Sequence, residues 1–414
     1  MTSRWLVLVE SNTTGSGRLF AAAARRLGLR PVMLARDPDR YPYVRADQID
    51  SKLTDTADPA AVLAACTALP GPVAGVLSSS EYFIATAAEA ASALGLPHPD
   101  PAAVRRCRDK RSQRQCLAAA GLPGPGFASA DSPEAAVTAA ARIGLPVVVK
   151  PVAGSGSIGV RRCGSLAQAA AAARYVLAAD QAATGLPPQP AVLVERYLPG
   201  PEYSVELLGD QVVGVTRKHL GPEPFFVETG HDFPAPLAAA GAAAVSQCAA
   251  AALAALGLRH GAAHVELRLT PAGPVVVEVN PRLAGGMIPR MVQEATGIDM
   301  IFHLVAAAAG QDAAVRPARA AAASIRFLIA GECGQLAGIT GVDEARQLPG
   351  VTEVGLTATA GQQVTVRHSF RDRLGYVIGA GHDTAAAAGA AESGLRALAA
   401  QIVPAPAAAE GSLR

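Results

Sequence analysis

Glu278, Asn280 and Arg282 fall at every second position of the run VVVEVNPRLAGG, where an apolar segment turns polar. Strand side chains alternate between faces, so this spacing predicts that all three point the same way. A second carboxylate, Glu266 in HVELRL, lies across a predicted hairpin turn at Thr270-Pro271-Ala272-Gly273. Antiparallel pairing through that turn sets Glu266 beside Glu278. Two carboxylates, an amide oxygen and a guanidinium on one sheet face suit a Mg2+–triphosphate site. Hard Mg2+ takes oxygen ligands from one or two carboxylates and from phosphates. The same four groups also suit a half-solvated hairpin that turns ordinary polar residues to water.

Two lysines extend the pattern. Lys110 ends a basic helix that starts near Ala102 and carries Arg105, Arg106, Arg108 and Arg111. Lys150 ends the apolar strand 146–150 and is followed by Pro151 and the loop Gly154-Ser155-Gly156-Ser157-Ile158-Gly159. A lysine leaving a buried strand reaches phosphate as a point charge. Glycines let backbone N–H groups wrap phosphate oxygens. Glu195-Arg196-Tyr197-Leu198 close another strand, 191–195, where backbone groups can pair with an adenine edge. Glu202, just past the turn Pro199-Gly200-Pro201, is placed to accept from ribose hydroxyls. Taken singly, these are also a solvated helix face, a plain hairpin turn and exposed acids.

The elements that position these groups read as α/β. WLVLV (5–9) is a short buried strand, and a polar loop (10–17) and a helix (about 18–27) lead to strand 31–35. That βαβ unit implies a parallel sheet. Strand 73–77 ends in Ser78-Ser79-Ser80-Glu81, the kind of carboxyl-end loop that binds ligands in such sheets. The glycines of loop 10–17 do not have dinucleotide-binding spacing, so an oxidoreductase reading is weak. Helix 133–143 precedes strand 146–150. Strands 202–208 and 212–216 form a hairpin, 225–233 reads as irregular, and helix 238–256 precedes the Glu266–Glu278 hairpin. The stretches SIRFLIA, VTEVGL, QQVTVRH and GYVIGAG are late strands, and 404–414 reads as a disordered tail.

Composition narrows the class. The 414 residues allow two or three domains. A net charge of +2, with no basic run, gives no case for nucleic acid. The opening apolar run is too short for a membrane span, and the alanine-rich stretches are interrupted by Gly, Gln or Arg. The six cysteines have no metal or redox spacing, which fits a reduced cytoplasm.

In their order along the chain, RDKRSQRQCL, VVVKPVAGSGSIGV, VLVERYLPGPEYSVELL, HVELRL and VVVEVNPRLAGGM resemble the ATP-grasp superfamily over about residues 105–305. Within it the chain is similar to the L-amino-acid-ligase type of carboxylate–amine ligase, through Glu228-Thr229-Gly230-His231, AHVELRL and NPRLAGG. The resemblance implies an N-terminal βαβ domain (1–103), an ATP-grasp domain (104–310) with a small α+β lid (about 113–195) and a large antiparallel lobe carrying the Mg/ATP site, and a C-terminal α/β lobe (311–403).

It further implies that Lys110 and Lys150 hold the phosphates of ATP under loop 154–159. Glu195 to Leu198 would line the adenine slot, and Glu202 would bind ribose. Glu266, Glu278 and Asn280 would bind two Mg2+ ions, or Mn2+ in their place. Arg282 would steady the phosphoryl group and acyl phosphate and, with His231, the tetrahedral oxyanion. Glu228 and His231 would face the amino acid. Arg268 either meets a substrate carboxylate or pairs with a neighbouring acid, with Arg290 and Arg326 as weaker candidates of that kind. Gly285 and Gly286 leave room for the acceptor.

The expected reaction joins a small-molecule carboxylate to an amine through an acyl phosphate, releasing ADP and phosphate. The expected partners include neither nucleic acid nor membrane, and similar enzymes are often homodimers. The alternatives are a purine-pathway ligase or carboxylase of the same superfamily, and a catalytically silent nucleotide-binding subunit.

Overall fold

The computed structural model describes residues 4–12, 16–178, 191–311 and 314–404. The sequence-predicted tail therefore lies outside the described residues apart from Pro404, and loop 10–17 is described only in part.

The first sheet is parallel, in the order Asp50–Leu53, Arg30–Ala35, Trp5–Val9, Val73–Leu77. Trp5–Val9 is buried along its whole length, which explains its unbroken apolar run. Leu6 and Leu8 pack with Phe20, Ala24 and Val305, which ties this sheet to the helix Met300–Ala308 of the central part of the chain.

The second sheet, Phe127–Ala130, Val192–Arg196, Val147–Pro151 and Arg161–Cys163, is antiparallel. Its helices Pro133–Ile143 and Leu166–Ala178 pack through small residues, among them Ala136, Ala140, Ala169 and Ala173. This is the small lobe that presents Lys150 and the glycine loop.

The largest sheet is antiparallel and eight-stranded: Gly273–Asn280, Ala262–Thr270, Glu202–Leu208, Gln211–Leu220, Glu228–Phe233, Ala322–Ile329, Arg373–Gly381, Val351–Leu356. The helix Ala239–Leu256 is long and apolar enough to cross a membrane by length and composition. Here its Val245, Ala249, Leu253 and Leu256 pack against Tyr203, Val205, Val265 and Val279 of that sheet. The strands Gly334–Thr340, Gln363–Val364 and Ala399–Val403 form a separate three-stranded sheet.

Several expectations change. The basic helix is two helices, Pro101–Arg108 and Lys110–Ala119, because the Asp109 carboxylate accepts from the Ser112 N–H and caps the second. Lys110 opens a helix rather than ending one. Strand 212–216 runs on to Leu220. Part of the stretch expected to be irregular is the strand Glu228–Phe233, whose polar side chains hid its pattern but find ionic partners in the fold. The late strands 322–329, 351–356 and 373–381, which the sequence assigned to no sheet, extend the large one. Strand Gly273–Asn280 stops before Arg282, so strand alternation does not govern that arginine.

Candidate active site

The hairpin closes as expected. Thr270 pairs with Gly273 and Glu266 with Glu278, while the Thr270 hydroxyl donates to the Gly273 carbonyl at 2.8 Å. Asn280, buried, pairs in register with His264.

Each hairpin carboxylate meets a lysine. Lys110 Nζ lies 3.0 Å from Glu278 and donates to the Gly154 carbonyl at 2.6 Å, linking hairpin and glycine loop. Lys218, 3% exposed, lies 2.9 Å from Glu266, 2.8 Å from Glu228 and 3.1 Å from Glu202. Burial opposes its charge, but Glu228, Glu266 and Glu202 outweigh this and hold the ammonium well above the lysine range. Burial likewise favours the neutral form of Glu266, yet Lys218 and His264 hold that carboxyl well below the usual range. The His264 imidazole, 3.0 Å from Glu206 and 3.1 Å from Glu266, is held up at about 9 despite burial.

On the nucleotide side, burial holds the Lys150 ammonium below its ordinary range, although Glu195 at 2.8 Å works against this. The Glu195 carboxylate faces Lys150 and Arg114 and is held at about 2 against the effect of burial. Its backbone remains at the strand end. Arg114 also donates to the Val276 and Val277 carbonyls at 2.6 Å each. Arg196 turns outward and donates to the Ile143 carbonyl at 2.5 Å. The Tyr197 hydroxyl donates to Glu223 at 2.8 Å. Arg268 reaches Glu202 at 3.2 Å and the Leu198 carbonyl at 2.9 Å, so of its two expected partners the structure gives it the neighbouring acid.

Loop 154–159 bends over this region with Gly154, Gly156, Gly159 and Ser157 all at positive φ. The Phe370 ring lies where a side chain on Gly156 would go. A cleft partly open to solvent lies beneath the loop. Lys110, Lys150, residues 154–158, 195–198, Glu202, Glu228, Glu266, Arg268 and Glu278 line it. Gly159, Asn280, Arg282, His231, Gly285 and Gly286 do not.

Arg282 and His231, outside that lining, have surroundings of their own. Arg282 donates to Glu81 at 2.8 Å, and Arg108 lies 3.2 Å from the same carboxylate. Burial would raise the Glu81 carboxyl, but Arg282 and Arg108 hold it at about 2. Glu228 accepts from Arg373 at 2.7 Å. His231, 1% exposed, lies 3.5 Å from Glu228, yet neither ring nitrogen makes a hydrogen bond. Burial pushes its imidazole down to about 3. Gly286 sits at φ +58°, and a Cβ there would come 2.6 Å from His231 Nε2, so its room is already taken by His231; only Gly285 faces open space. Arg326 pairs with Asp232 and Glu392, and Arg290 with Glu294 and Glu353.

Sequence reasoning missed Lys218, Arg114, Arg373 and the His264–Glu206 pair. Lys218 was findable: it stands opposite Glu202 once strand 211–220 is given its full length. Glu81 lay in a loop already singled out.

The hairpin donor set is all oxygen and fits a hard divalent cation. Among the described residues no group of three or more His, Cys, Asp or Glu side chains could hold an ion unaided. A cation here therefore needs substrate phosphate oxygens to complete its shell.

A cleft between a small lysine-bearing lobe and a large antiparallel sheet is the arrangement of the ATP-grasp fold. Residues 143–290 match the family model of the ATP-grasp domain, residues 21–98 the ATP-grasp N-terminal domain, and residues 326–403 the L-amino acid ligase C-terminal domain 2. The chain belongs to the ATP-grasp superfamily, among the carboxylate–amine ligases that resemble L-amino acid ligases. It is an ATP-dependent ligase of the C–N bond-forming class. ATP-grasp ligases use ATP and divalent metal ions.

The chain is 40% identical over 375 residues to the uncharacterized protein y4rH of Sinorhizobium fredii, covering 90% of this chain and 78% of that protein. It is 32% identical over 233 residues to carnosine synthase 1 of Gallus gallus, covering 52% of this chain and only 25% of the synthase. The crystal structure of L-amino acid ligase from Bacillus licheniformis superposes with a TM-score of 0.79 at 23% identity, covering 97% of this chain and 99% of that one. That last likeness is one of fold.

Proposed function

We propose that this ligase phosphorylates a small-molecule carboxylate with ATP and couples it to an amine, with an amino acid as at least one of the two substrates. The carrying observation is the cross-strand pair Glu266–Glu278, each carboxylate matched to a lysine, with Glu278 and Lys110 set below the glycine loop.

A carboxylate is a poor electrophile because its leaving group would be oxide. Transfer of the γ-phosphoryl group makes an acyl phosphate, whose leaving group is phosphate. The protein's part is placement and charge. In this reading Lys110 and Lys150 bind the phosphates, loop 154–159 covers them, residues 195–198 take the base and Glu202 the ribose. Glu266, Glu278 and Asn280 hold two Mg2+ ions, with Mn2+ as a substitute, which neutralise phosphate charge. Arg282, close to Glu81 and influenced by Glu278 and Glu266, steadies the phosphoryl group.

Glu228 binds the substrate ammonium. His231 stays neutral near pH 7, so it serves as a hydrogen-bond donor to the developing oxyanion and not as a base. Closure of the glycine loop keeps water from the acyl phosphate. The free cysteines accord with a cytoplasmic enzyme, and a homodimer is the assembly proposed by analogy.

The test is a screen of carboxylate–amine pairs, with formate and bicarbonate as further arms, following ADP and the mass of the amide. Amino-acid pairs should release ADP and give an amide. Glu278→Ala should abolish ADP release with its circular dichroism unchanged. Turnover near that of the parent chain in this variant would contradict the metal assignment.

A further inference from the structure

Arg373 opens a strand in the C-terminal third of the chain, yet its side chain reaches the substrate end of the site. It donates to the Glu228 carboxylate at 2.7 Å and to the Glu228 carbonyl at 3.3 Å. Its guanidinium lies 3.6 Å from the centroid of the Phe327 ring, and Phe327 in turn meets His231 edge-on at 5.4 Å. Three buried polar atoms in this cluster have no hydrogen-bond partner: Arg373 Nε and both ring nitrogens of His231. Buried donors and acceptors are nearly always satisfied, so three orphans beside one carboxylate mark a place for a polar ligand.

The charges indicate its class. Lys218 is saturated by three carboxylates, but among the described residues Arg373 pairs with one carboxylate, Glu228. A stacked, planar guanidinium is suited to a carboxylate. Glu228, held by Lys218, and Arg373 lie 2.7 Å apart, so the ammonium and carboxylate of one zwitterion can each reach an opposite charge there. The carboxylate that becomes phosphorylated belongs beside Lys110, Lys150 and Arg282. The carboxylate of the attacking amino acid therefore needs a cation of its own.

We infer that Arg373 binds the free α-carboxylate of the amino-acid acceptor, so that the C-terminal third of the chain selects acceptors that are amino acids over simple amines. This rests on the ligase reading above.

The experiment is calorimetry on the full chain loaded with Mg2+ and a non-hydrolysable ATP analogue, titrated with a panel of L-amino acids and with the carboxamide of each. At least one amino acid should bind the parent chain about 10- to 100-fold more tightly than its carboxamide, the range expected for a charge-assisted hydrogen-bonded pair. Arg373→Met should lose that preference by weakening the acid alone, Arg373→Lys should restore part of it, and nucleotide affinity should not move. Equal binding of acid and amide by the parent chain, or equal weakening of both in Arg373→Met and Arg373→Lys, would overturn the site and leave Arg373 as a support for Glu228. Failure of every pair to release ADP would instead overturn the ligase reading, so the two failures are distinct.

Discussion

Lys218 shows how much one buried cation can decide. It sits among Glu202, Glu228 and Glu266, which come from three different strands. Removing one partner of a buried ion pair strands the other charge, at a cost of about 3–5 kcal/mol. Lys218→Met leaves Glu202, Glu228 and Glu266 to Arg268, Arg373 and His264, and its urea midpoint should fall by up to that equivalent at unchanged slope. A midpoint within error of the parent chain would show that these acids have other compensation. Lys218 is also the clearest lesson in what the sequence conceals. Glu202, Glu228 and Glu266 were each legible, one by its turn and two by motif, but nothing local says that three acids need a common partner. That requires the strand register, which places Lys218 opposite Glu202 and His231.

At the level of elements, the hairpin was legible because its turn and its alternation are local: Thr270-Pro271-Ala272-Gly273 fixes the pairing and two carboxylates follow. Strand Glu228–Phe233 was not, since ETGHDF has no apolar alternation and is a strand only because neighbours on both sides pair with it. The link from Asn280 to the helix Ile288–Thr296 is tuned to that strand. Gly286 adopts φ +58° and lies against His231. Gly286→Ala should destabilise the fold by roughly 1–3 kcal/mol through backbone strain and the clash together. In a double-mutant cycle with His231→Ala, part of that loss should be recovered, with a coupling of about 1 kcal/mol read from unfolding midpoints. Strict additivity would mean that the two residues do not press on each other in solution.

For the whole molecule, the buried ionisable groups set a pH signature. The folded His231 has its imidazole pushed down to about 3 from an ordinary 6.5, so between those values the unfolded chain binds the proton that the folded chain refuses. The stability due to this group is fully present above pH 6.5 and falls as the pH drops below it, by up to about 1.4 kcal/mol per pH unit. Glu81 and Glu195, both held at about 2, add their losses only below about pH 4.5. Above pH 6.5 the raised His264 acts in the opposite sense, so urea midpoints measured from pH 6.5 down to 5 should decline in the parent chain and flatten in His231→Gln. A parallel decline in both would place the proton elsewhere. The division into an N-terminal parallel sheet, a lid and a large antiparallel sheet was readable from the order of motifs. The merging of the late strands into the large sheet was not, because the edge on which a distant strand docks is decided by its partner's free hydrogen-bonding groups and not by its own pattern.

That merging has a mechanical consequence. Strands bearing Glu266 and Glu278, and strands bearing Glu228 and Arg373, are planks of one continuous platform, cross-linked by main-chain hydrogen bonds from end to end. No hinge lies between the place where the acid would be energised and the place where the amine would wait. The gap that the nucleophile would cross is thus set when the chain folds.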